Sequence, residues 1–132
     1  MAGVTQWFAE GGVWMYAILL LDLIGLPLVF VAWVVAIVAR VKGRTGMLTK
    51  AIPALVMLGS VLPVVVGAVG YFQGRALAVE AVAHAAPALR AELLVAGLEV
   101  ATIPLRFGGT STVVLGSLSV LAVMLAPWVS RR

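Results

Sequence analysis

Cysteine is absent from the 132 residues, and there is a single histidine. That removes a disulfide framework, a thiolate metal site and a cysteine nucleophile, and one chain cannot assemble a multi-histidine metal centre. Charge is scarce as well. Only 11% of the residues are Asp, Glu, Lys or Arg, against 64% hydrophobic, whereas a soluble domain carries about 45–50% apolar and about 25% charged residues. A water-soluble enzyme core, a disordered tail and a nucleic-acid-binding module are all excluded by this balance. The net charge of +4 does not restore nucleic-acid binding, because most basic residues flank apolar runs. No phosphate-cradling glycine loop, nucleophile elbow or metalloprotease motif occurs. No enzyme, cofactor or metal is expected.

What is abundant is long apolar sequence. A helix needs about 20 apolar residues to cross about 30 Å of hydrocarbon. Three stretches qualify, at 13–39, 51–72 and 110–129. No segment shows the alternation of a membrane barrel strand. The expected fold is therefore all-α: one membrane domain over 1–132 with three transmembrane helices and an external helical segment at 73–107. Arg40, Lys42, Arg44 and Lys50 share one short loop, and Arg131 and Arg132 close the sequence. Three crossings put both basic groups on the cytoplasmic side, with the N-terminus outside. Met1–Gly12 holds Glu10 and no Lys or Arg, which agrees with that orientation and lacks the basic start of a cleavable signal peptide. Trp7, Phe8, Trp14, Tyr16, Tyr71 and Phe72 mark an outer aromatic belt, and Trp128 an inner one. The external segment is alanine-rich, with Pro87 expected to break or kink its helix. A competing reading makes Leu89–Phe107 a fourth crossing, which would bury Glu99 and move the final arginines outside.

Asp22 is the most informative residue, because a charge at the centre of a membrane helix costs about 2.5–3.5 kcal/mol on insertion scales. It reads either as an acid facing a pore or partner helix, or as a carboxyl near the outer headgroups, neutral or hydrogen-bonded, with no transport role. Gly25 and Pro27 follow it, where backbone can approach or bend. The second crossing is rich in small residues. Gly59, Pro63 and Gly67 recur every four positions, and Gly70 follows, which suits helix packing where no hydrophobic effect operates. Such packing implies assembly, because three crossings bury little of one another. The third crossing opens with Gly108-Gly109-Thr110-Ser111-Thr112. Its hydroxyls either bond the helix carbonyls locally or line a wet path, with Thr112, Gly116 and Ser119 on one face and Thr110 a candidate N-cap. Glu99 and Thr102 lie just before them. Glu80 and His84 are spaced to pair on a helix; metal binding by that pair is a weak signal. The basic loop Arg40–Lys50 suits anionic lipid headgroups.

Together these pieces resemble the MotA/TolQ/ExbB proton-channel family of bacterial inner membranes. Glu10-Gly11-Gly12-Val13-Trp14-Met15 followed by leucines is similar to the opening of that family's first crossing. Pro53 followed by Leu58-Gly59-Ser60-Val61 is similar to its proline and leucine-glycine-threonine-valine on the second. Ala96-Gly97-Leu98-Glu99 is similar to the start of its third. A different register sets Gly97-Leu98 and Ile103-Pro104 against a later glycine-leucine and isoleucine-proline motif. The resemblance implies a homo-pentamer around a single-span partner that carries an aspartate, in the inner membrane, coupling proton flow to work outside. It implies that Ser60 takes the pore-hydroxyl position and Glu99 the third-crossing glutamate. The short link Arg40–Lys50 makes this chain a reduced member without the family's cytoplasmic insertion. Two other functions fit the composition: a structural membrane subunit that scaffolds an assembly through its outer segment without ion transport, and a holin-like pore former.

Overall fold

The computed structural model describes residues 3–43 and 46–126, with side chains from Gly11 onward. Among these the chain is helical, without strands: α1 (Gly3–Val41), α2 (Met47–Gly59), α3 (Leu62–Ala83), a short 3-10 turn (Pro87–Leu89) and α4 (Arg90–Leu125). Three stretches are long and apolar enough to cross a membrane: Gly11–Val41, Met47–Ala83 and Pro87–Leu125. The side chains of Trp7, Phe8 and Glu10, and all of Arg44, Trp128, Arg131 and Arg132, fall outside the described residues.

The helix boundaries follow local chemistry. α1 is interrupted at Gly12, whose φ of 61° and ψ of −154° suit only glycine. It stops where Gly43 turns left-handed at φ 60°, the usual glycine ending of a helix. α2 and α3 are separated by a turn at Ser60–Val61, because Pro63 has no N–H to offer the Gly59 carbonyl and biases Leu62 away from helical backbone. α3 continues well past Phe72, the expected end of the second crossing. The chain then turns at residues 84–86, and Pro87 starts the 3-10 turn, closed by Arg90 Nε donating to the Ala85 carbonyl at 3.1 Å.

Residues 73–107 hold two helical parts separated by the break expected at Pro87. They complete α3 and begin α4, and α4 passes through Gly108-Gly109 without a break. Leu89–Phe107 is accordingly part of one long helix rather than a fourth crossing. Thr110 sits in that helix's interior and is no N-cap. Its hydroxyl donates to the Arg106 and Phe107 carbonyls at 3.1 and 2.8 Å. His84 lies in the turn beyond α3, and among the described residues it makes no bond to Glu80.

The helices divide into two compact units, Met1–Leu19 with Pro63–Thr110, and Leu20–Leu62 with Ser111–Arg132. In the first unit α3 and α4 are antiparallel and their backbones nearly touch. A Cβ on Gly67 would lie 2.5 Å from the Pro104 carbonyl oxygen, one on Gly74 would lie 3.0 Å from Ala101 Cβ, and one on Gly97 would lie 2.7 Å from Ala78 Cβ. Gly108 faces the Pro63 carbonyl more closely still. The contact positions on α4, Gly97, Ala101, Pro104 and Gly108, step by four, three and four. Every one is small or a proline, which lets two helices approach where lipid supplies no hydrophobic drive. Gly70 closes against Trp14 of α1.

In the second unit α1 and α4 run parallel. Gly25 meets Leu115, and Trp33 Nε1 donates to the Leu118 carbonyl at 2.9 Å. The buried residues here include Val29, Ala32, Ala36 and Ala39 of α1, Pro53 of α2, Ser60 after it, and Leu115, Ser119 and Ala122 of α4. Only 17–22% of the most apolar windows is buried within the chain. The rest, including Leu20, Leu23, Phe30 and Val113, is free to meet lipid or other helices.

Candidate functional site

On α1 the inward positions step by three and four residues. In the first unit they are Gly11, Met15 and Ile18; in the second, Asp22, Gly25, Val29, Ala32, Ala36 and Ala39. Asp22 therefore points along the packing face and not into lipid. The α4 steps through Gly97, Ala101, Pro104 and Gly108 place Ser111 next on that helix's own packing face. The two faces meet at these residues: Ser111 Oγ lies 2.7 Å from Asp22 Oδ2. Gly25, one turn along α1, keeps the helices close, since a Cβ there would already lie 3.1 Å from Leu115 Cδ1.

The other carboxyl oxygen, Asp22 Oδ1, is buried and, among the described residues, has no hydrogen-bond partner. Leaving a buried polar atom unpaired costs about 1–3 kcal/mol, more for a charged group. Such an atom in a native fold calls for a functional or structural reason. Chemically the group has one oxygen held in place by a hydroxyl and one open to a proton or a hydrogen-bond donor. No group of three or more metal-ligating side chains occurs among the described residues.

The remaining polar residues singled out from sequence behave differently. Ser60 is buried, and its hydroxyl donates to the Met57 carbonyl at 2.6 Å. Thr102 donates to the Glu99 carbonyl at 2.7 Å. Ser117 and Ser119 donate to the Val113 and Leu115 carbonyls, both at 2.7 Å. Each of these closes a local bond on its own helix. Thr112 is half-buried in the second unit, while Glu99 is exposed in the first. Glu99 lines a groove of about 590 Å³ along α4 with Arg106 and Thr110. Among Asp22, Ser60, Glu99, Thr102 and Thr110, no side chain bonds another.

Of the small residues, Pro63, Gly67 and Gly70 are buried in α3. Gly59 departs from their stripe: it closes α2 in the other unit, and a Cβ there would meet nothing within 4 Å. Sequence reasoning missed two participants. Ser111 was hidden inside a run of three hydroxyl residues. It becomes visible once the packing steps on α4 are counted from Gly97. Gln73 accepts a hydrogen bond from Trp14 Nε1 at 2.7 Å, tying α1 to α3 at the rim of an apolar groove of about 610 Å³ walled by Gly74, Ala78, Gly97 and Ala101. No protein-family model, curated protein or solved structure matches the chain.

Proposed function

We propose that this chain is a subunit of an oligomeric bacterial inner-membrane complex of the MotA/TolQ/ExbB kind, a proton-channel or stator-like ring enclosing a partner's single transmembrane helix. Asp22 is the group that takes up and releases the proton. The observation that carries this reading is the buried, unpartnered Asp22 Oδ1 beside a Ser111-bound Oδ2. An ionisable residue inside a membrane helix is expensive and is retained where ions or protons pass. Two further features support it. The three spans bury little of one another, which leaves their outward faces for copies and partner. The parallel run of α1 and α4 agrees with a chain that crosses three times. The short α1–α2 link has no room for the family's cytoplasmic insertion.

The test is proton uptake by liposomes holding the complex co-purified with its partner. Wild type conducts, Asp22→Asn does not, and Ser117→Ala conducts as wild type. Equal flux through wild type and Asp22→Asn rejects the role of Asp22. A second reading, a scaffold without transport, draws on the local bonding of Ser60, Thr102, Ser117 and Ser119, since hydroxyls so occupied do not form a hydrogen-bonded chain across the membrane. It predicts no flux from any variant. Lysis on overexpression would instead indicate the holin-like alternative.

A further inference from the structure

The outward faces of α3 and α4 in the first unit carry two stripes that match each other but not themselves. On α3, Ala68, Phe72, Arg75 and Val79 step by four, three and four. Arg75 and Val79 are exposed, as is Phe72 at 65%. On α4, Ala96, Glu99, Ile103 and Arg106 step by three, four and three, and Glu99 and Arg106 are exposed. The α4 stripe lines the groove of about 590 Å³. It lies on the side of α4 turned away from Gly97, Ala101 and Gly108, the residues that hold α3. Among the described residues neither Arg75 nor Glu99 has an ionic partner.

We propose that the α4 stripe is the docking face for α3 of a second copy of this chain, with Arg75 of one copy paired to Glu99 of the next. This rests on the oligomeric reading above and specifies its interface. In a ring whose axis is the membrane normal, equal residues of all copies lie at equal depth. The depth match between α3 and α4 is therefore the one the hairpin sets within each chain. There Gly74 stands against Ala101 and Ala78 against Gly97, so Arg75 is level with Glu99 and Val79 with Ala96. Continuing along both helices, Phe72 is level with Ile103. Opposite charges meet at Arg75–Glu99, and Val79 faces the smaller Ala96. The contact is heterologous, since α3 of one copy meets α4 of another, and such contacts close into rings. The charge pair fixes register and direction more than it adds affinity.

The absence of cysteine gives a clean test by cross-linking in native membranes. Arg75→Cys and Glu99→Cys chains, co-expressed and oxidised, are expected to form a disulfide-linked dimer, and neither single variant alone does so. Both substitutions on one chain are expected to give a ladder of linked copies that ends at the ring size. Glu99→Arg is expected to weaken association on the order of tenfold, and adding Arg75→Glu to restore it. A ring by mass measurement with no cross-link overturns this interface while leaving the oligomeric reading intact. A cross-link only at monomer mass also overturns it. Cross-linking with no proton flux through the partner complex keeps the interface and rejects the transport reading.

Discussion

The two compact units are built from the same three stretches of chain but hold together by different means. The first relies on backbone proximity. Gly67, Gly74, Gly97 and Gly108 bring α3 and α4 so close that the space for a single Cβ is already occupied. The second relies on side chains: Trp33 reaching the Leu118 carbonyl, Leu115 filling the gap at Gly25, and Ser111 bonding Asp22. In water, burying aliphatic side chains would dominate either arrangement. In lipid that gain is absent, so close packing and interhelical hydrogen bonds remain. The first unit leans on close packing, with one interhelical bond from Trp14 to Gln73 beside it, and the second leans on the bonds of Trp33 and Ser111. A unit held by backbone contact tolerates almost no added volume. One held by side chains can include a polar pair.

Five substitutions sharpen that contrast. The largest effect is expected from Gly108→Leu or Gly67→Leu, whose new side chains meet the backbone carbonyls of Pro63 and Pro104. Overpacking of this kind costs about 1–3 kcal/mol or more, and here no flexible side chain can give way, so the folded fraction in detergent should fall sharply. Ser111→Ala comes next. It leaves both Asp22 oxygens unpartnered, at about 1–3 kcal/mol, and should lower the midpoint of a denaturing-detergent titration. Trp33→Phe trims the indole to a single ring and loses one hydrogen bond, the bond alone being about 0.6 kcal/mol in a membrane protein, a small shift in the same titration. Gly109→Ala has the opposite sign. Nothing lies within 4 Å of its new Cβ, and replacing a mid-helix glycine gains about 0.5–1 kcal/mol, so thermal stability should rise slightly. If Gly109→Ala proves as damaging as Gly108→Leu, the close approach of α3 is not what sets the tolerance of these positions, and the contrast fails.

The all-helical chain and its three long apolar spans were legible from composition and run length, because lipid allows few alternatives to a helix of that length. Boundaries were harder. Hydropathy marks where a helix is apolar, not where its hydrogen bonds end, so the polar turns of α3 beyond Phe72 and of α4 before Thr110 read as a separate segment. Glycine pairs mislead for a related reason. Gly108-Gly109 suggests a helix start, yet Gly108 is needed inside the helix so that the Pro63 carbonyl can fit against it. Asp22 was visible as an anomaly of composition. Its partner was not, because which of three adjacent hydroxyls faces α1 depends on the phase of α4, and that phase is set by the small residues that hold α3. The break at Ser60–Val61 was signalled by Pro63, but the four-residue recurrence of Gly59, Pro63 and Gly67 suggested a continuous face across it.

Asp22 is the only aspartate in the chain, which allows the pair to be observed directly. Carbon-13 labelling of aspartate places an infrared reporter on this one carboxyl in the intact membrane protein. With one oxygen bonded to Ser111 and the other unpartnered, the carboxyl band should shift in Ser111→Ala and stay in place in Ser117→Ala, whose hydroxyl bonds only its own helix. A band that is the same in wild type and Ser111→Ala would contradict the pairing and, with it, the site on which the proposed function rests.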